Sequence, residues 1–215
     1  SCKGYKNANR INGYYTVLDD DLKAYQVYCY FEKLDTGTRA WTLIQSYSFK
    51  YRDNFSKPLS QNTPVNEVSP SWEEYRLSHS RMIHAFRDSQ DKWSITCNYN
   101  TQGFAFADFV EVPVSSFNPF SKTGDGGKCI DVDNANIRGY KCLGCQVYVQ
   151  QKHNRALHFR PHRSSNQCGF NITGLKQCGD GNWEQSFGFY RCYNSDHRCS
   201  SSPNSTTQMW FGSTL

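Results

Sequence analysis

Cysteines and histidines in the second half of the chain have residue types and spacings that suit metal or redox chemistry. Cys142 and Cys145 are separated by two residues, and His153, His158 and His162 follow along the chain. Cysteine and histidine at short spacing are the usual ligands of zinc, and a Cys-x-x-Cys pair can also act as a redox dithiol. We favour a structural interpretation, in which the two cysteines are half-cystines bonded to different partners and the histidines lie at the surface.

The run DVDNAN at 131–136 places carboxylate and amide oxygens at alternate positions. Such oxygens suit Ca²⁺, which takes about 6–8 oxygen ligands. Asp131 and Asp133 are therefore the candidate metal ligands. Asp- and Asn-rich turns are also ordinary loop chemistry, so the run is compatible with either a calcium loop or a plain turn.

Hydrolytic and phosphate-binding motifs give little support for catalysis. The sequence contains no G-x-S-x-G nucleophile turn, no H-E-x-x-H zinc motif and no phosphate-binding P-loop. The acids Glu73 and Glu74 and the run Asp19–Asp21 are typical of a helix start and a turn. We expect His84 to pack or to face solvent. The sequence therefore predicts that the protein is not an enzyme.

The cysteine content indicates an oxidising compartment. The chain has 10 cysteines in 215 residues, an even number that allows complete pairing. Three N-x-[ST] sequons, at Asn54, Asn171 and Asn204, agree with the secretory route. We predict glycosylation at these positions, most complete at Asn204 and then at Asn54 because both lie in polar stretches. The protein is expected to be secreted, or to be the ectodomain of a cell-surface protein.

Charge and apolar patterning exclude two classes of partner. The formal net charge is +5, but lysine and arginine are scattered, so we expect no nucleic-acid partner. No stretch is apolar and long enough to cross a bilayer, so we expect no membrane insertion by this segment. An extracellular protein or a glycan remains as the expected ligand, and the oligomeric state is left open.

Alternating apolar and aromatic residues predict an α+β fold built on an antiparallel sheet with few short helices. A helix is expected at 69–86, where a Ser-Pro-Ser start and early glutamates precede apolar residues at helical spacing. A polar loop is expected at 52–68. The predicted strands lie at 13–18, 25–31, 40–49, 93–99 and 104–112.

The second part of the chain differs in composition. A Gly-rich polar segment marks a boundary between two parts, 1–117 and 118–215. Beyond it regular periodicity fades, which predicts a cysteine-rich, loop-heavy half that packs on the first part and depends on disulfides more than on a large core. Cys192 and Cys199 are expected to close a small loop, and 199–208 to form an exposed tail.

Several motifs of the first part, in order and well spaced, resemble the fibrinogen-related (fibrinogen C-terminal-like) domain of extracellular recognition proteins. The resemblance implies a fibrinogen-like fold and a disulfide between Cys2 and Cys29. Cys97 would then bond to a cysteine of the second part. The matching motifs are Ser1-Cys2-Lys3, Gly13-Tyr14-Tyr15, Val27-Tyr28-Cys29, Trp41-Thr42-Leu43-Ile44-Gln45, Trp72-Glu73-Glu74-Tyr75-Arg76 and Ala105-Phe106-Ala107-Asp108-Phe109.

The second part departs from this family. The W-W-Y-x-x-C-H stretch that supplies the family's ligand pocket is absent, and the nearest cysteine-flanked aromatics lie at 189–193. The run at 131–136 is similar to the family's D-x-D-N-D calcium loop, which implies Ca²⁺ at Asp131 and Asp133.

The function expected from the resemblance is non-enzymatic recognition or adhesion of the extracellular-matrix type. The rival expectation is a calcium-dependent lectin that binds acetylated glycans. Because the family's pocket walls are missing, we expect no binding of acetylated sugars in the family's usual way, and we expect any calcium to be structural.

Overall fold

The computed structural model describes residues 1–7, 10–89, 91–104, 107–124, 126–153, 155–160, 168–172, 178–179 and 187–215. Its strands are β1 (Gly13–Leu18), β2 (Ala24–Leu34), β3 (Gly37–Ser48), β4 (Glu74–Arg76), β5 (Lys92–Cys97), β6 (Phe109–Pro113), β7 (Lys128–Ile137), β8 (Tyr140–Lys152), β9 (Arg155–Phe159) and β10 (Thr206–Thr214). Its α-helices are α1 (His79–Asp88) and α2 (Tyr99–Gln102), and 3-10 helices span Cys2–Tyr5 and Phe49–Phe55. In the described part, no helix is long and apolar enough to cross a bilayer.

A single antiparallel sheet organises the described chain. Its strand order is β1-β2-β3-β10-β5-β6-β7-β8-β9, with β4 pairing with β3 beside this path. The predicted antiparallel sheet with few short helices is confirmed. Strands from both sequence parts alternate in it, because β10, the last strand of the chain, lies between β3 and β5.

Strand β10 occupies the centre of the sheet, where the sequence predicts the end of an exposed tail. Its residues are buried from Thr206 to Ser213. The prediction is correct for the exposed residues 201–204 and wrong for the buried residues 199–200 and 205–208. The strand was not predicted because several of its side chains are polar. Inside the protein these side chains form hydrogen bonds: the Gln208 side-chain oxygen accepts one from the Thr96 hydroxyl at 3.1 Å.

The core fills both faces of the sheet around three fully buried tryptophans, Trp41, Trp93 and Trp210. A Cβ atom at Gly212 of β10 would lie 2.7 Å from the Trp41 ring. Only glycine therefore allows the two strands to approach at this point. Trp93 stacks on Phe159 with ring centroids 5.7 Å apart, so aromatics of the second part contribute to the common core.

Strands β7, β8 and β9 form a meander where the sequence predicts loops. The turn between β7 and β8 is Arg138–Gly139, with φ angles of 55° and 81°, as a two-residue type I′ hairpin turn requires. The buried positions of β7 change phase between Val132 and Ala135, which breaks the period-2 pattern. The prediction of a loop-heavy second part is wrong for 128–152 and 155–159.

The segment 69–86 divides into strand β4 and the start of helix α1, which corrects the single predicted helix. Residues 75–77 are all fully buried, whereas an amphipathic helix on a sheet buries only one stripe. The Leu77 amide donates to the carbonyl of Ile44 at 3.0 Å. Pairing with β3 thus overrides the helical spacing, and the helix begins only after Ser78.

All ten cysteines form disulfides. The structure pairs Cys2 with Cys29, as the resemblance implies, and Cys97 with a cysteine of the second part. Two expectations are wrong. Cys142 and Cys145 bond to each other and not to different partners, and Cys192 and Cys199 bond to other cysteines and do not close a small loop. The five pairs are Cys2–Cys29, Cys97–Cys199, Cys129–Cys168, Cys142–Cys145 and Cys178–Cys192.

Candidate ligand-binding cleft

Three neighbouring strands, β6, β7 and β8, place polar and apolar side chains on one face of the sheet. The register sets Asn136 between Phe109 and Lys141, and it sets Asn134 opposite Leu143. Directly opposed residues point to the same face. The resulting hairpin cleft has a volume of about 530 Å³ and is lined by Phe109, Asn134, Asn136, Lys141, Cys142 and Leu143.

The β8 wall of the hairpin cleft bends at Gly144. This glycine has a φ of 59°, in the left-handed region that glycine adopts without strain. The Cα atoms of Cys142 and Cys145 are 6.0 Å apart, whereas three residues of extended strand span about 10 Å. Leu143 lies in the bend and is 79% exposed, so the wall presents an apolar side chain to solvent.

Two amide side chains give the hairpin cleft its hydrogen-bonding capacity. Asn134 and Asn136 each carry an NH₂ donor and a carbonyl acceptor. The Asn136 Oδ1 atom is buried and has no hydrogen-bond partner among the described residues. Lys141, opposite Asn136, is exposed and adds a positive charge. The cleft can therefore hold a ligand that presents oxygen atoms to the lysine.

An aromatic cluster continues from the hairpin cleft towards β2 and β3. The Phe109 ring lies 5.9 Å from Phe104, which stacks on Tyr30 at 5.2 Å and on Trp41 at 5.6 Å, centroid to centroid. Burial raises the pKa of Tyr30 to about 12, so its hydroxyl is neutral at physiological pH. Ring faces beside fixed polar groups suit sugar rings and amphipathic protein side chains.

Charged side chains border the hairpin cleft on the side of β5. The Lys92 ammonium lies 2.6 Å from an Asp133 carboxylate oxygen and 3.7 Å from one of Glu111. Burial, and to a smaller extent the charge of Glu32, raises the pKa of Glu111, while Lys92 opposes this shift. Lys92 therefore forms ion pairs with two carboxylates, one of which is that of Asp133.

The candidate ligands Asp131 and Asp133 lie in a strand and not in a loop. Both lie in strand β7, and an Asp131 carboxylate oxygen accepts a hydrogen bond from the Gln146 amide at 2.9 Å. A Ca²⁺ site needs several converging oxygens, and the described residues contain no group of three or more His, Cys, Asp or Glu that could hold an ion. Because residues 131–136 belong to strand β7, the alternative expectation of a plain turn is wrong.

The proposed zinc candidates are dispersed. Cys142 and Cys145 are consumed in a disulfide, and His153 is exposed. His162 lies outside the described residues. The expectation that the histidines are at the surface is wrong for His158, which is 1% exposed.

Acid is expected to destabilise the protein through His158. Its Nδ1 atom lies 2.7 Å from the Ala156 carbonyl oxygen, and burial lowers its pKa to about 3, with smaller contributions from Arg160, Arg155 and Arg191. In the unfolded chain the pKa is about 6.5. The unfolded state therefore binds more protons between these pH values, so stability is complete above pH 6.5 and falls below it, by about 2 kcal/mol at pH 5.

Urea unfolding at pH 8 and pH 5 checks this expectation. The variant His158→Phe should lose about 2 kcal/mol less than the wild type over this range. His153→Phe, at an exposed position, is the matched control and should follow the wild type. Raised pKa values of Asp108 and Glu111, both caused first by burial, act in the opposite direction and cancel in the comparison. Equal pH dependence of wild type and His158→Phe would contradict a neutral, buried imidazole.

The sequon asparagines Asn54, Asn171 and Asn204 are all exposed. The Asn54 amide donates to a Glu74 carboxylate oxygen at 3.0 Å, which a glycan at this nitrogen would have to displace. Thr173 of the second sequon lies outside the described residues. Glycosylation stays a prediction, and Asn204, in the exposed stretch before β10, is still the position we expect to be modified most completely.

The aromatics at 189–193 line a separate, smaller cleft. Phe189, Tyr190 and Arg191 border a volume of about 290 Å³ together with Arg52 and Asp53. Tyr190 is 1% exposed, so its ring is not available as a platform. The charged lining differs from the amide and aliphatic lining of the hairpin cleft.

The lining of the hairpin cleft overlaps the stretch to which the sequence assigns a metal site, but with other side chains. The run at 131–136 contains Asn134 and Asn136, yet the metal hypothesis assigned function to its two aspartates. Lys141 and Leu143 were not identified. One sequence signal could have indicated this hairpin. Arg138-Gly139 lies between two apolar runs that contain cysteines, and a glycine at the second turn position is typical of a tight hairpin.

Two comparisons with known proteins return no match. No protein-family model matches the chain, and no curated protein matches it.

Proposed function

We propose that the protein is a secreted or cell-surface recognition and adhesion module of the fibrinogen-related type. It binds an extracellular protein or glycan ligand without catalysis, and the hairpin cleft is its binding site. One observation carries the proposal: a single open cleft combines two amides, one ammonium group, an aromatic ring and an exposed leucine. Binding sites typically combine apolar contact area with a few placed polar groups in this way.

The disulfides support an extracellular location. Five bonds hold the described chain, and the longest loop has a sequence separation of 102 residues. Such bonds persist in oxidising compartments and are rare where thiols are kept reduced. The exposure of all three sequon asparagines is compatible with the same route.

The arrangement of the first part supports the fibrinogen-related assignment. The Cys2–Cys29 bond joins the N-terminal segment to strand β2. Trp41 stands near the start of β3, directly across from Tyr30 of β2. Both features involve motifs that carry the resemblance, and the Cys2–Cys29 bond is the one that it implies.

The chemistry of the hairpin cleft supports binding rather than catalysis. Nucleophilic or acid–base catalysis needs a nucleophile and a base within hydrogen-bonding reach of each other. The described lining supplies two neutral amides, one ammonium group and a cysteine already bonded to another cysteine. These groups can orient a ligand by hydrogen bonds and charge.

We further propose that binding does not require calcium. The calcium-dependent lectin hypothesis needs carboxylates free to coordinate the ion beside the ligand. Asp133, which precedes Asn134 of the hairpin cleft, lies 2.6 Å from the Lys92 ammonium. To coordinate calcium, Asp133 would have to separate from Lys92, and the contact of Lys92 with Glu111 would be disturbed as well.

Binding to a glycan array and to a panel of purified matrix proteins, each in millimolar calcium and in EDTA, tests the proposal. At least one component should bind equally well in both conditions. Leu143→Asp should weaken that binding by roughly tenfold or more, because it places a charge at the apolar contact of the cleft.

Val68→Asp is the matched control. Val68 is 70% exposed in the loop before β4, so the same charge change there should leave binding unchanged. Binding that disappears in EDTA would favour the lectin hypothesis over this one. Binding that both variants retain, or binding to no component of either panel, would also overturn the proposal.

A further inference from the structure

The Cys142–Cys145 disulfide differs from the other four in its exposure. Both of its cysteines are partly exposed. Each of the other pairs has at least one buried cysteine; in the two least buried of them, Cys168 is 4% and Cys178 is 8% exposed. Thiol–disulfide exchange requires access of the attacking sulfur, so Cys142–Cys145 is the pair that solvent thiols reach most readily.

This disulfide also closes the shortest loop. Its sequence separation is 3, against 14, 27, 39 and 102 for the others. In the chain-entropy model a disulfide stabilises by restricting the unfolded chain, and the restriction grows with loop length. Cys142–Cys145 can therefore open while the other four bonds maintain the fold.

The surroundings of the bond favour attack by an anion. Lys141 precedes Cys142 and is exposed, as is Leu143 between the two cysteines. A neighbouring ammonium group stabilises a thiolate and attracts an incoming one. Gly144, with its φ of 59°, gives the backbone freedom to relax once the bond is broken.

We propose that Cys142–Cys145 is a thiol–disulfide exchange site whose co-substrate is a small thiol of the glutathione class. The incoming thiolate forms a bond with one cysteine sulfur while the Cys142–Cys145 bond breaks, and the other cysteine leaves as a thiolate that takes up a proton. A second thiolate attacks the mixed disulfide, releasing the oxidised small disulfide and the second cysteine thiol. Two electrons pass from two small thiols to the protein.

Exchange at this site changes the shape of the hairpin cleft, because Cys142 lines it. Reduction removes the covalent link across the Gly144 bend and lets this part of β8 relax towards an extended strand. The inference concerns the state of the bond and of the cleft wall, so it holds whether or not a ligand is recognised there.

Equilibration of the full chain in glutathione buffers of graded reduced-to-oxidised ratio tests the proposal. Acid quenching, alkylation and peptide mapping then report the state of each cysteine. Cys142 and Cys145 should be labelled together, and half-reduction should occur at a ratio at least about tenfold lower than for the other pairs. Amide hydrogen exchange of 134–147 should increase over the same range while β3 and β10 stay protected.

Variants make the test specific. Cys142→Ser combined with Cys145→Ser should stay folded and show no labelling in this range. Lys141→Glu should slow exchange on the order of threefold, whereas Lys122→Glu, the same charge change at another exposed lysine, should not. Earlier labelling of another pair, simultaneous labelling of all five, or labelling only after unfolding is seen by circular dichroism would each overturn the proposal.

Discussion

Replacing Cys97 and Cys199 together by alanine is expected to lower the free energy of unfolding by about 4–5 kcal/mol. The bond closes a loop with a sequence separation of 102, so breaking it releases a large part of the unfolded chain. Both cysteines are buried, at 0% and 1% exposure. The bond lies at the end of β5 and ahead of β10, the strand that inserts beside β5. Denaturant unfolding without reductant measures the loss.

The pair Cys142→Ala and Cys145→Ala is the control for this prediction. It removes a disulfide with a sequence separation of only 3, so it should cost less than half as much as the Cys97 and Cys199 double variant. A loss below roughly 2 kcal/mol for the Cys97 and Cys199 variant, at unchanged denaturant slope, would show that β10 is held in place without this bond.

Arg76→Met is expected to destabilise the fold by about 3–5 kcal/mol. The Arg76 side chain is fully buried and donates to the carbonyls of Lys57 at 3.0 Å, Pro58 at 2.7 Å and Gln61 at 3.2 Å. Burial lowers its pKa to about 10, so the guanidinium is still charged at neutral pH. Methionine fills similar space but removes the guanidinium donor from three carbonyl oxygens, of which, in the described part of the chain, only that of Pro58 accepts another backbone hydrogen bond, from the Gln61 amide.

Arg87→Met makes the same substitution at a surface position. The Arg87 side chain is 55% exposed and pairs with Asp20, so the loss should be below about 1 kcal/mol. Arg76→Lys should recover only part of the stability, because an ammonium group lacks the planar fork that serves three acceptors. Chemical denaturation of the three variants is the measurement, and equal losses for Arg76→Met and Arg87→Met would refute the anchoring role of Arg76.

Strands β1, β2 and β3 could be predicted because their apolar and aromatic residues are dense or alternate along the strand. Strand β10 could not, since its burial on both faces is achieved with threonine, serine and glutamine whose partners come from distant strands. The Gln208 contact with Thr96, across 112 residues of sequence, is an example. Strand β4 was missed for a related reason: its pairing with β3 is a long-range contact that local helical spacing does not report.

The candidate site was only partly predictable. The run at 131–136 carries a recognisable composition, but its meaning depends on whether it is a loop or a strand, and that is decided by its pairing with β6 and β8. In the strand, Asp133 forms an ion pair with Lys92. Asn134 and Asn136 lie opposite Leu143 and Lys141 of β8. The disulfide partner of Cys97 could be limited to the second part, while the bond between Cys142 and Cys145 required the bend at Gly144.

Hydrogen exchange with and without the array component that binds best tests the central claim, that the hairpin cleft is the ligand site. We expect the ligand to protect amides of 109–113 and 134–143. Leu143→Asp should abolish this protection, whereas Val68→Asp should not. Protection confined to β1 and β2, or to the residues around Arg52 and Phe189, with no change at 134–143, would contradict it.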